Sequence, residues 1–112
     1  MEVLRPRPRV SVLVLGGEHD LDSAAALELL ATEALESSDH VVFDLSAVQF
    51  LDSSTIAVLV RAKRRADEQG ARFVVVMGTS SVVLRGLEVS GVLPALNAVP
   101  TLDEALLTTP SK

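Results

Sequence analysis

Cysteine is absent from this chain of 112 residues. Its absence excludes disulfide bonds, a thiol nucleophile and thiolate metal sites, and it is typical of a protein from a reducing compartment. We therefore expect a cytoplasmic protein. The sequence also lacks a run of about 20 apolar residues and the apolar core of a signal peptide. We expect a soluble, unprocessed chain that does not bind a membrane.

An excess of positive charge is missing as well. The chain has 10 Lys and Arg against 15 Asp and Glu, for a net charge of −5. Because a nucleic-acid binder presents a basic stripe, we expect no nucleic-acid partner. The basic cluster at residues 61–65 is better explained as the solvated face of a helix. With 48% hydrophobic residues, the sequence predicts one domain with its own core.

Catalytic and cofactor-binding motifs are scarce. The sequence contains no Gly-x-Ser-x-Gly elbow, no phosphate-binding loop and no Gly-x-Gly-x-x-Gly turn. The only histidines, His19 and His40, fall at the edges of predicted elements, where exposed loop positions are more common than a base or a metal ligand. A triad of Ser53, His19 and Asp20 would lack its elbow. The sequence therefore predicts a non-enzyme with no cofactor and no metal.

Hydrophobic patterns alternate between strand and helix along the chain. Strands are predicted at residues 10–15, 41–45, 72–77 and 95–99, and helices at residues 22–36, 53–69, 80–89 and 101–107. This alternation predicts an α/β fold with a mixed, mostly parallel sheet of four to five strands and about four helices. Residues 1–8 are predicted to be an N-terminal arm or edge strand, residues 9–107 the domain, and residues 108–112 a loose C-terminal tail.

The most informative stretch runs from Asp44 to Thr55. A buried strand leads through a short loop into Asp52-Ser53-Ser54 at the start of a helix. The first turn of a helix has free N–H groups and the positive end of the dipole, so it stabilises an anion. A phosphate on Ser53 would add roughly −1.5 to −2 charges without melting the helix. Taken alone, these residues are better explained as plain helix capping, because Asp and Ser are favoured cap residues.

The helix that follows carries two stripes when it is mapped at about 100° per residue. One stripe should face the sheet and comprises Thr55, Val58, Leu59, Ala62 and Ala66. The other comprises Ser53, Ile56, Ala57, Val60 and Arg64. It predicts a small apolar patch of Ile56 and Val60 at or near the surface beside Ser53. A neighbouring helix or the first loop covering these two residues is an equally good alternative.

Three segments together resemble the anti-sigma factor antagonists of the STAS domain family. They are the strand, loop and Asp-Ser-Ser helix start, the Gly17-Glu18-His19-Asp20 segment, which is similar to the family's Gly-Glu-x-Asp loop, and residues 87–92. The resemblance covers roughly residues 9 to 107 and implies a single STAS-like domain. In the family the Gly-Glu-x-Asp loop lies beside the phosphorylation site.

The resemblance also implies roles for single residues. Ser53 corresponds to the phosphoacceptor, with Ser54 as second choice, Asp52 to its acidic neighbour and Asp20 to the loop acid. Thr55 stands where the family usually has glycine, and we expect it to narrow the space for a kinase loop. The predicted partner-binding residues are Asp20, Asp52, Ser53, Ser54, Ile56, Ala57, Val60 and Arg64.

The function implied by the resemblance is a regulatory one. The unphosphorylated chain would bind an anti-sigma factor with a histidine-kinase-like ATPase fold and so release a sigma factor. That partner, with its ATP, would phosphorylate Ser53 and weaken the complex, and a metal-dependent serine phosphatase would reset it. The chain would be a monomer or weak homodimer. The alternative is a STAS subunit of a stress scaffold or lipid-transport ATPase complex, in which Ser53 need not be modified.

Overall fold

The computed structural model describes residues 2–19, 21–79, 81–89, 91 and 96–107. These described residues form five strands and four helices. In chain order they are β1 (Glu2–Arg7), β2 (Val10–His19), α1 (Leu21–Ser37), β3 (His40–Leu51), α2 (Ser53–Gln69), β4 (Arg72–Val76), α3 (Ser81–Val89), β5 (Ala98–Val99) and α4 (Leu102–Leu107). The predicted α/β class is confirmed. No helix in these ranges is both long and apolar enough to cross a bilayer.

The strands form one sheet in the order β1-β2-β3-β4-β5. β1 is antiparallel to β2, and the other neighbours are parallel, so the predicted mixed and mostly parallel sheet is confirmed. β1 is an edge strand that forms a hairpin with β2. The short β5 begins at Ala98, later than predicted, and residues 92–95 and 108–112 lie outside the described part of the chain.

β2 and β3 are both longer than the sequence pattern predicted. Residues 16–19, predicted to be a loop, extend β2 and pair with the part of β3 beyond Leu45. The pairing ends at His19↔Leu51 and contains two register shifts. Gly16 and Gly17 were interpreted as the end of the strand, but glycines are also common at β-bulges inside a strand. The sequence pattern therefore predicted too short a β2. As a result, the end of β2 lies beside the residue that precedes Asp52.

The two faces of the sheet are covered unequally. Helices α1, α2 and α3 pack on one face, where the Phe43 and Phe73 rings lie 5.2 Å apart between centroids. The short α4 covers the other face, over Val42 and Val74. Because side chains alternate along a strand, the continuous apolar run of β3 supplies both faces. The start of α2 thereby follows a strand whose first half, up to Leu45, is buried on both faces and whose last residues are partly exposed.

Glycine conformations hold the ends of two elements. Gly70 closes α2 in the left-handed region, with φ of 75°, which is the conformation that a C-cap glycine adopts without steric cost. Gly78, in the turn after β4, has φ of 63°, and a Cβ there would lie 2.6 Å from the Cβ of Ser46. A side chain at residue 78 would therefore be strained by both its backbone angle and its contact with β3.

The prediction that His40 lies in an exposed loop was wrong. It is the first residue of β3, is 3% exposed and pairs in register with Arg72 of β4. Burial lowers the pKa of His40, and the positive charges of Arg72 and Arg7 lower it further. His40 is thus held neutral in the sheet, and the side chain of His19 is outside what the structure describes.

Candidate functional site

Asp52 caps the N-terminus of α2. One oxygen of its carboxylate, Oδ1, accepts hydrogen bonds from the Ser54 hydroxyl at 2.6 Å and from the Thr55 N–H at 3.1 Å. The hydrogen bond from Ser54 lowers the pKa of Asp52, and the one from the Thr55 backbone lowers it further. The carboxylate is therefore ionised at neutral pH and fixes the first turn of the helix.

The three hydroxyl residues of this turn have different environments. Ser53 is exposed, and its hydroxyl makes no hydrogen bond within the described ranges. Ser54 is half-buried and bound to Asp52, and Thr55 is fully buried. The expectation that Thr55 narrows the approach to Ser53 was wrong, because its side chain faces the interior. Of the three, only Ser53 presents an unengaged hydroxyl to the surface.

Ser53 lies at the rim of an open groove between the end of β3, the start of α2 and α3, which we call the α3 groove. It has a volume of about 380 Å³. Most of its lining is apolar, and the lining residues are Phe50, Leu51, Ser53, Ile56, Val82, Arg85, Gly86 and Val89. Phe50 is 51% exposed and Val89 80% exposed. Exposed side chains of this size beside a free hydroxyl form a surface suited to a protein partner.

The predicted patch of Ile56 and Val60 differs from the observed one. Ile56 is only 7% exposed and packs into the main core, so that it forms part of the groove floor. Val60 is partly buried against the same core. The exposed apolar residues beside Ser53 are instead Phe50, Val82 and Val89. Sequence reasoning missed these residues, although the seven-residue spacing of Val82 and Val89 places them on one face of a helix.

A second groove lies between α1 and α2, and we call it the α1 groove. It has a volume of about 370 Å³ and is lined by Ala24, Ala25, Glu28, Ser54, Ala57, Val58 and Arg61. Ion pairs join its walls, since Glu28 binds Arg61 at 2.7 Å and Arg65 at 3.8 Å. Two predicted partner residues, Ser54 and Ala57, therefore line a different surface from Ser53.

The remaining predicted site residues are not gathered with Ser53. Arg64 is exposed further along α2 and lines neither the α1 groove nor the α3 groove. Asp20 lies outside the described residues, although the preceding residue, His19, pairs with Leu51 at the edge of the site. Within the described ranges, no group of three or more His, Asp or Glu side chains is placed to hold a metal ion. What the structure brings together is Ser53 and the apolar α3 groove.

Comparison with known proteins identifies the family of this chain. Residues 3–105 match the STAS domain family. The chain is 37% identical over 98 residues to the anti-sigma-F factor antagonist RsfB of Mycobacterium tuberculosis, an alignment covering 87% of this chain and 79% of that protein.

Solved structures of anti-sigma factor antagonists have the same fold as this chain. The crystal structure of an anti-sigma factor antagonist from Mycobacterium paratuberculosis superposes with a TM-score of 0.86 at 29% identity, covering 98% of this chain and 94% of that one. Unphosphorylated SpoIIAA, an anti-sigma factor antagonist of Bacillus, shares the fold with a TM-score of 0.77 at 18% identity, over 94% and 91% of the two chains. The chain belongs to the STAS domain family.

Proposed function

We propose that this chain is an anti-sigma factor antagonist that is switched by phosphorylation of Ser53. Its 37% identity to RsfB supports the class of function. The observation that carries the switch is the position of Ser53 at the first residue of α2, on the rim of the α3 groove. Its hydroxyl is exposed and makes no hydrogen bond to another described residue. A modification there changes the surface and leaves the core untouched.

In the unphosphorylated state, the partner is an anti-sigma factor that covers the α3 groove. Phe50, Val82 and Val89 together provide exposed apolar area, and burying such side chains favours association. The hydroxyl of Ser53 is small and neutral, so it is tolerated at the edge of such an interface. The anti-sigma factor, once bound, releases its sigma factor.

Phosphorylation reverses this binding. The Ser53 Oγ attacks the γ-phosphorus of an ATP held by the partner, a kinase with a histidine-kinase-like ATPase fold. The bond from the γ-phosphorus to the bridging oxygen breaks, ADP leaves, and the hydroxyl proton passes to a base of the kinase. The chain is only the acceptor in this reaction and supplies no catalytic group. The added charge is compatible with the N-terminus of α2, so the fold is retained. At an interface the same charge must be desolvated, which weakens the complex.

Hydrolysis of the phosphate by a metal-dependent serine phosphatase restores the binding form. Of the predicted partner residues, Ile56 is placed with Ser53 on the α3 groove, whereas Asp52 acts through the geometry of the helix cap. Asp20, Ser54, Ala57, Val60 and Arg64 remain predictions that mutagenesis has to test one by one.

The partner can be identified directly. Tagged Ser53→Ala and Ser53→Asp proteins are purified from the native host, and the co-purifying proteins are identified by mass spectrometry. We expect Ser53→Ala to retain a small histidine-kinase-like ATPase and Ser53→Asp to lose it, with Ser54→Ala behaving as the unmodified chain does. Equal recovery with the two Ser53 variants would refute the switch. Recovery of scaffold or transporter subunits would establish the alternative function as a structural STAS subunit.

A further inference from the structure

Arg85 of α3 lies on the same groove as Ser53. It is exposed, and among the described residues that line the α3 groove it is the one that is charged. Its guanidinium makes no ion pair or hydrogen bond within the part of the chain that the structure describes. By contrast, Arg9 forms an ion pair with Asp39, and Arg61 forms one with Glu28. Arg85 is therefore a cation without a described partner on a groove whose lining is mostly apolar.

The packing of α3 keeps Arg85 close to the start of α2. A Cβ at Gly86 would be in ordinary van der Waals contact with β3, 3.9 Å from the Cδ2 of Leu51. Leu51 is two residues before Ser53, and Arg85 is next to Gly86. Arg85 and Ser53 also line the same groove, so a phosphate on Ser53 and the guanidinium would share one open space.

We propose that Arg85 is the internal counter-ion of the phosphate on Ser53. A guanidinium pairs with phosphate through two parallel N–H···O bonds, a geometry that a neutral serine hydroxyl does not offer. In the unphosphorylated chain Arg85 stays on its own wall of the α3 groove. Phosphorylation draws it across the groove. The inference rests on the proposed function, since it supplies the mechanism by which modification of Ser53 alters this surface.

This pairing gives the phosphate a second effect on binding. Besides adding charge at the rim, it places the arginine side chain over the floor of the groove, where Ile56 and Leu51 are. The apolar surface offered to a partner shrinks as the charge appears. The modified chain thus loses both the shape and the apolar character of its binding surface.

The test requires no partner protein. Phosphoserine is incorporated at residue 53 of the full chain by genetic code expansion, and the ³¹P chemical shift is followed against pH. A nearby cation stabilises the dianion, so we expect the second pKa of the phosphate to be lower in the parent than in Arg85→Gln, by roughly half a unit to one unit at low salt. Arg85→Lys should retain part of the shift. Added salt should reduce the shift, because the groove is open to solvent.

Arg5→Gln is the matched control, because it removes the same charge from an exposed arginine on β1. We expect its phosphate to titrate as in the parent. Equal phosphate pKa values in the parent and Arg85→Gln would overturn the inference, as would an equal shift in Arg5→Gln. Either result leaves the proposed function standing, because that function fails only if Ser53 phosphorylation does not change partner binding.

Discussion

The two grooves on either side of α2 differ more than their similar volumes suggest. The α3 groove is rimmed by large exposed apolar side chains and, among its described lining residues, has one charge, that of Arg85. Three of the seven described lining residues of the α1 groove are alanines, and the ion pairs of Glu28 tie its walls together. Ser53 lines the first groove and Ser54 the second, because consecutive helical residues point about 100° apart. The two hydroxyls thus have the same chemistry and differ in the surface that surrounds each of them.

The largest expected effect separates the two serines by charge. We expect Ser53→Asp to weaken binding to the anti-sigma factor by roughly a hundredfold, since a charge is placed at the rim of an apolar interface. Ser54→Asp, which faces the α1 groove, should weaken it far less. Isothermal titration calorimetry with the purified partner measures both variants. A larger loss for Ser54→Asp would show that the wrong groove has been assigned to the partner.

The second-largest expected effect compares an exposed apolar residue of the α3 groove with one that lies outside both grooves. Phe50 is 51% exposed on the α3 groove, whereas Leu29 is 69% exposed on α1 and lines neither groove. We expect Phe50→Ser to reduce partner affinity by roughly tenfold to a hundredfold, through lost apolar burial. Leu29→Ser should leave the affinity unchanged. The same titration applies, and matching losses for the pair would contradict the α3 groove as the binding surface.

The helix cap that both serines share should respond to acid. Hydrogen bonds from Ser54 and the Thr55 N–H lower the pKa of Asp52 below its unfolded value, so the unfolded chain binds a proton first as pH falls. The cap's stabilisation is present above the unfolded pKa, near 4, and is lost as pH falls through the lower folded pKa. Urea unfolding between pH 7 and pH 3 should show a shallower pH dependence for Asp52→Asn than for the parent. Superimposable pH profiles would rule out this contribution.

The smallest expected effect concerns stability alone. Removing the Ser54 hydroxyl breaks its hydrogen bond to Asp52, and we expect Ser54→Ala to lower the free energy of unfolding by about 1 kcal/mol. Ser53→Ala removes an exposed hydroxyl without a bond in the described ranges, so its change should stay within about 0.5 kcal/mol. Equilibrium urea denaturation resolves the two. The comparison fails if Ser53→Ala proves the more destabilising variant.

Much of this architecture could be read from the sequence, because periodicity follows directly from burial. The alternation of strands and helices and the capped start of α2 at Asp52-Ser53-Ser54 depend on local residues and were predicted. The extension of β2 through Gly16 and Gly17 was not predicted, because two glycines look the same in the sequence whether they end a strand or continue it in the sheet. Likewise, the polar side chain of His40 gave no sign that neighbouring strands bury it.

The α3 groove itself could not be predicted from local patterns. Phe50, Ser53 and Val89 belong to three different elements, and only the packing of α3 against the end of β3 brings them together. The sequence pattern instead predicted a patch of Ile56 and Val60 on one face of α2, with coverage by a neighbouring helix or the first loop as the alternative. In the folded chain Ile56 is covered by its neighbours and becomes part of the floor of the groove.

The most direct test of phosphorylation at Ser53 is to map the phosphate on the chain as it is isolated from its native host. Intact-mass and peptide mass spectrometry locate the modification to a single residue of the first turn of α2. The account predicts a phosphorylated fraction carrying the phosphate on Ser53 and no phosphate on the Ser53→Ala protein. Phosphate on Ser54, or an unmodified Ser53 in every growth condition, would contradict it.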